Sequence, residues 1–87
     1  MNSKSQREII LKALIENPRH EWWNAKDFQS GKYFVGYEAT ARMSELLKYD
    51  YIKARYVDRF REIALDWQYK DDILAIYDII LMKEDDK

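Results

Sequence analysis

Eighty-seven residues, 47% apolar and 15% aromatic, suffice for one small domain with a single core and fall short of the length at which chains split in two. With no cysteine the chain carries neither a disulfide framework nor a thiolate metal cluster, and a net charge of −1 speaks against a general polyanion binder. The balance is uneven: residues 1–69 hold 12 lysines and arginines against 10 carboxylates, residues 70–87 hold 3 against 6, so the acidity sits at the C-terminal end.

Ser5 followed by Glu8 has the form of a capping box, and Ile10, Ala13, Leu14 and Asn17 follow at helical spacing until Pro18, which cannot continue the ladder. The spacing predicts a first helix over 5–17, after a flexible 1–4. "EWW" reads as a short extended piece. Asn24 with Asp27 three residues on starts a short second helix, 24–30, ended by Gly31. A turn leads into a third helix, 37–49, in which Ala39, Met43, Leu46 and Leu47 fall on one apolar face.

From Ile52 the period changes to two. Ile52, Ala54 and Tyr56 alternate with Lys53 and Arg55, and Ile63, Leu65, Trp67 and Tyr69 alternate with Ala64, Asp66 and Gln68, the pattern of a hairpin. Centring it on Arg59 and Phe60 sets Tyr56 opposite Ile63, Ala54 opposite Leu65, Ile52 opposite Trp67 and Lys53 opposite Asp66. The turn holds neither Gly nor Asn, so a loop wider than two residues is expected. "DDILAIYDIILMK" opens on carboxylates and closes on Lys83, which complements a helix dipole and predicts a fourth helix over 72–83, with an acidic tail at 84–87.

Helix, short strand, helix, helix and hairpin is the order of a winged helix-turn-helix, and the chain resembles small bacterial and phage members of that family over residues 5–69. The resemblance is carried by "WWNAKDF", "FVGYEATARMSELLKYDYI" and "RYVDRFREIALDWQ". It implies an α+β, mainly helical fold: a three-helix core plus a β-hairpin wing, here with an added C-terminal helix at 70–83. It also implies a third helix that enters the major groove of double-stranded DNA and a wing that touches the flanking backbone. The expected function is that of a small, sequence-specific transcriptional regulator. The alternative is a winged helix that binds a protein partner within a phage or replication assembly.

The face of the third helix opposite its apolar stripe holds Tyr37, Thr40, Ala41, Ser44 and Lys48, with Glu38 and Glu45 at its acidic edge. Small Ala41 and Ser44 would admit close approach to base edges, and Lys48 would reach phosphate or guanine; an ordinary solvated face has the same composition. Arg55, Arg59 and Arg61 near the hairpin turn, with Lys26 and Lys32 around the second helix, form an expected basic rim, unless Asp58 and Glu62 neutralise the arginines. Arg42, four residues after Glu38 and three before Glu45, is expected to pair within its helix rather than touch phosphate. Phe60 at the hairpin tip either enters a groove or covers the core edge. Trp22, Trp23 and Trp67 read as packing residues.

No catalytic, metal or cofactor motif is present: His20 stands alone and "HEWWN" is not a zinc-binding helix motif. No apolar run approaches the roughly 20 residues of a membrane span, and Met1–Ser5 is polar without a signal-like apolar segment behind it, so a soluble, cytoplasmic chain is expected. Along the fourth helix Ile73, Leu74, Ile76, Tyr77, Ile79, Ile80 and Leu81 cover an arc wider than one core requires. The excess predicts a homodimer with Ile73, Ile76, Tyr77, Ile80 and Leu81 at its interface; the alternative is a helix that buries the whole arc in its own chain.

Overall fold

A computed structural model of the chain describes residues 3–85. Three helices, α1 (Ser3–Glu16), α2 (Ala39–Leu46) and α3 (Lys70–Asp85), accompany one antiparallel hairpin, β1 (Ile52–Val57) and β2 (Phe60–Leu65). The fold is thus α+β and mainly helical. Two 3₁₀ turns, Ala25–Phe28 and Trp67–Tyr69, complete it. Among the described residues no helix is long and apolar enough to cross a membrane.

The helices follow from their apolar spacing. Ile10, Ala13 and Leu14 of α1, Ala39, Met43 and Leu46 of α2, and Ile73 and Ile80 of α3 are buried together with Phe28, Ile63 and Leu65 in one cluster. Each large side chain so buried contributes roughly 1.5–3 kcal/mol. α1 begins at Ser3, so Ser5 lies inside the helix and the expected capping box at Ser5 is not its N-terminus. Within the segments expected to be loose, 1–4 and 84–87, residues 3–4 and 84–85 are helical; Met1–Asn2 and Asp86–Lys87 lie outside the described residues. At the other end the Asn17 amide donates to the Ala13 carbonyl at 2.8 Å, satisfying one of the helix's last acceptors before Pro18.

The second expected helix is a single 3₁₀ turn whose capping box is present: the Asn24 side-chain Oδ1 accepts from the Lys26 backbone N–H at 2.8 Å, and the Asp27 carboxylate accepts from the Asn24 backbone N–H at 2.9 Å. The chain then reverses at Gly36, whose φ of +92° suits glycine, while its amide and that of Val35 both donate to the Phe28 carbonyl. This reversal delivers α2 across the 3₁₀ turn.

The hairpin departs from expectation in register and in turn. Ile52 pairs with Leu65, Lys53 with Ala64, Ala54 with Ile63, Arg55 with Glu62 and Tyr56 with Arg61, a shift of two residues from the expected partners. A shift of two preserves which side chains share a face, so the alternation could not detect it. The cause lies at both ends. Asp58 (φ +49°) and Arg59 (φ +73°) both take left-handed conformations, which closes a tight two-residue loop between the paired Val57 and Phe60. Asp66 then leaves the ladder: its amide donates to the Tyr51 carbonyl at 2.8 Å and its carboxylate caps the 3₁₀ turn that leads into α3. Trp67 therefore lies outside the sheet, 44% exposed, rather than opposite Ile52.

Trp23 joins the sheet by a single bridge, exchanging both backbone hydrogen bonds with Ile63 at 2.8 and 2.9 Å. Its buried ring stacks on Phe28. This bridge fixes the 3₁₀ turn against the hairpin, and with it one wall of the surface described next.

Candidate nucleic-acid interface

α2 is buried along Ala39, Met43 and Leu46, which turns Tyr37, Thr40, Ala41, Ser44 and Lys48 outward; all five are exposed, Tyr37 at 98%. Of the two carboxylates at this edge, Glu45 is held between Arg7 of α1 and Arg42, the latter at 3.0 Å. Arg42 thus pairs within its own helix, and Glu45 is neutralised from two sides. Glu38 is exposed and makes no ion pair among the described residues.

β2 brings a cation onto the same edge. Because Tyr56 and Arg61 face each other in the ladder, on the side that looks toward α2, the Arg61 guanidinium reaches the Thr40 carbonyl at 3.4 Å and donates to the Ser44 hydroxyl. Ser44 in turn donates to the Thr40 carbonyl at 3.1 Å. Neighbouring Arg55 lies on the opposite face of the strand. Its guanidinium pairs with Glu62 at 2.8 Å and lies 4.2 Å above the Trp22 ring, where Lys53 also sits. The structure therefore brings Arg61 to the expected basic rim and turns Arg55 away from it, because alternate residues of a strand face opposite sides. The expected neutralisation by Glu62 occurs at Arg55, while among the described residues Asp58 makes no ion pair with an arginine.

Between the 3₁₀ turn, α2 and the hairpin lies a groove of about 440 Å³. Lys26, Arg59 and Arg61 are its charged side chains, Tyr56 and Phe60 form its hairpin side, and no carboxylate lines it. Lys26 rests over the Phe60 ring, 4.4 Å from its centre. Lys32 and Lys48, both exposed, rest similarly over Tyr33 and Tyr49. Phe60 is 51% exposed, so it does not close the core edge. Sequence reasoning placed Tyr56 against Ile63 as a packing residue; it is 72% exposed, because the register shift sets it opposite Arg61 beyond the end of the core.

A polar cluster behind this surface fixes the segment that feeds α2. The Glu16 carboxylate, at the end of α1, accepts from the Tyr33 and Tyr77 hydroxyls at 2.7 Å each. Burial pushes the Glu16 carboxyl up, but the two phenols, with Lys12 and Lys32, outweigh it and hold it below its ordinary 4.5. The same bond raises the Tyr77 hydroxyl above its ordinary 10.0, since ionisation would remove the proton it donates. Antiparallel to α1, α3 is also tied by Lys83–Glu8 and Lys12–Glu84, both at 2.6 Å.

On α3 the interface expected for a second copy is corrected in part. Ile73 and Ile80 are 1% and 4% exposed within the single chain, so neither offers surface to a partner. Ile76, Tyr77 and Leu81 are half-buried. The apolar side chains that face solvent are Leu74 (40%), Ile79 (50%) and Met82 (66%), because the core takes only one stripe of the helix.

Comparison with family models, curated proteins and solved structures finds no match to this chain, so the reading of the surface rests on its own residues.

Proposed function

We propose that the chain is a winged helix-turn-helix that binds double-stranded DNA, with α2 in the major groove and the hairpin as a wing on the adjacent backbone. In this reading it is a cytoplasmic, non-catalytic regulator of transcription. One observation carries the proposal. Lys26, Lys32, Lys48, Arg59 and Arg61 gather at or near the α2 edge and its groove and make no ion pair among the described residues; Lys4, Arg19 and Lys70 are likewise without one but lie apart, and Arg7, Arg42, Lys53, Arg55, Lys12 and Lys83 are each paired. Cations without a carboxylate partner can replace counterions on phosphate without first breaking an ion pair; of the five, Arg61 is held on Ser44 by a hydrogen bond. Ala41 and Thr40 offer a small, close-approaching surface for base edges between them, and Tyr37 stands at the helix entrance.

Ile79, Leu74 and Met82 supply the surface for a homodimer through α3. An antiparallel pair about a two-fold axis would set the acidic start of one α3, Asp71 and Asp72, near Lys83 at the end of the other. Two copies would then address half-sites about one helical turn apart.

Fluorescence anisotropy against mixed-sequence duplex over a range of salt tests the DNA reading. With about five phosphate contacts, log affinity falls with log salt at a slope near −4 to −5. A selection from random duplexes then yields the preferred site. A second reading, a module that docks on a protein within a larger assembly, draws on the exposed rings of Tyr37 and Phe34 (55%) at the start of α2. Absence of binding to duplex at low salt favours it.

A further inference from the structure

The groove beside α2 carries chemistry that contact with a duplex leaves idle. Tyr56 and Phe60 expose most or half of their rings at its hairpin side, and Met43 contributes to its floor. An exposed aromatic ring is a large apolar surface left in water, and here two stand on adjoining strand ends beside three cations. A volume of about 440 Å³ falls in the roughly 300–1,000 Å³ range of small-ligand sites. Ring faces beside phosphate-binding cations are the combination by which an unpaired nucleotide is held, because every base has a face to stack and every nucleotide a charge to neutralise. Within a duplex the base faces are covered by their neighbours, so only an unpaired nucleotide presents both.

We propose that this groove binds an unpaired nucleotide of a DNA strand, with its base against Tyr56 and its phosphate on Arg59 and Lys26. Arg61 stays on Ser44 and frames the site. Lys26 already covers one face of Phe60, which leaves Tyr56 as the stacking platform and Phe60 as the side wall. The inference rests on the DNA-binding reading and narrows its ligand to duplex that carries a single-stranded end or gap.

The intact protein is titrated by anisotropy with a blunt duplex and with the same duplex carrying a short single-stranded overhang. Wild type prefers the overhang by roughly 5- to 150-fold, the range of stacking one base on an aromatic side chain. Tyr56→Ala, whose side chain lies outside the core, keeps the wild-type melting temperature and binds the overhang duplex no more tightly than the blunt one; Tyr56→Phe retains the preference. Equal wild-type affinity for the two duplexes overturns the inference while leaving the DNA reading intact, and so does a Tyr56→Ala variant with undiminished preference. Absence of binding to either duplex overturns both.

Discussion

Replacing Arg59 with glycine separates its place in the hairpin turn from the phosphate contact proposed for it. At φ +73° the Arg59 backbone is left-handed, a conformation that disfavours a side chain by roughly 1–2 kcal/mol and that glycine adopts freely. Glycine also adds unfolded-chain freedom worth roughly 0.5–1 kcal/mol, so Arg59→Gly should stabilise the fold by a net of about 0.5–1 kcal/mol. For a chain of this length that raises the melting temperature by about 2–8 °C. If the Arg59 guanidinium also contacts a phosphate, the same variant lowers the magnitude of the salt slope by about 0.9. Arg59→Ala is the control, because alanine keeps the backbone penalty and loses the charge: it should show the reduced slope without the gain in stability. Calorimetry and salt-dependent anisotropy on the three proteins read both effects. A glycine variant no more stable than the alanine variant refutes the tight left-handed turn, and wild-type slopes in both variants refute the phosphate contact.

Arg42→Ala should lower the melting temperature slightly, by an amount matching the few tenths of a kcal/mol of an intrahelical pair, and leave the salt slope unchanged; a slope smaller by about one with stability intact would place Arg42 on phosphate instead. The lowered Glu16 carboxyl contributes stability that is present above its ordinary 4.5 and is lost as pH falls below it, so a Tyr33→Phe, Tyr77→Phe double variant should show a shallower loss of stability than wild type in that acid range. The raised Tyr77 hydroxyl adds a second window: stability present below pH 10.0 is lost above it, and because Tyr51, Lys12 and Lys83 are raised too, chemical denaturation across that range should show a shallower loss in Tyr77→Phe than in wild type. Light scattering should give twice the 10.6 kDa chain mass for wild type and the single mass for a folded Leu74→Glu, Ile79→Glu variant; a wild type that stays monomeric at tens of micromolar removes the dimer.

Local pattern was enough for the order of the three α-helices and the hairpin, though not for the 3₁₀ turns at Ala25–Phe28 and Trp67–Tyr69, expected as helix and strand. Apolar spacing at Ile10, Ala13 and Leu14, at Ala39, Met43 and Leu46, and the switch to alternation at Ile52 each report which face a segment can bury, and that spacing is carried by residues close in sequence. The same periodicity identified the outward edge of α2 from Tyr37 to Lys48, because the exposed face of a helix is the complement of its buried one. The Asn24–Asp27 capping box was legible for a similar reason: both bonds close within four residues.

Tertiary structure decided what depends on residues distant in sequence. Register is one case, since a slip of two leaves every face unchanged and only the left-handed pair Asp58–Arg59, together with the departure of Asp66 to Tyr51, selects among the allowed pairings. The partner of each arginine is another. Arg61 and Arg55 are equivalent in composition, yet one reaches Ser44 and the other Glu62 and Trp22, because the hairpin presents one face to α2 and the other to Trp22. The share of α3 that is buried is the third. Its composition is apolar over a wide arc, but its packing against α1 and the rest of the core buries Ile73 and Ile80 and only half-covers Ile76, Tyr77 and Leu81, and how much of a helix a core can cover is set by what packs against it rather than by the helix itself.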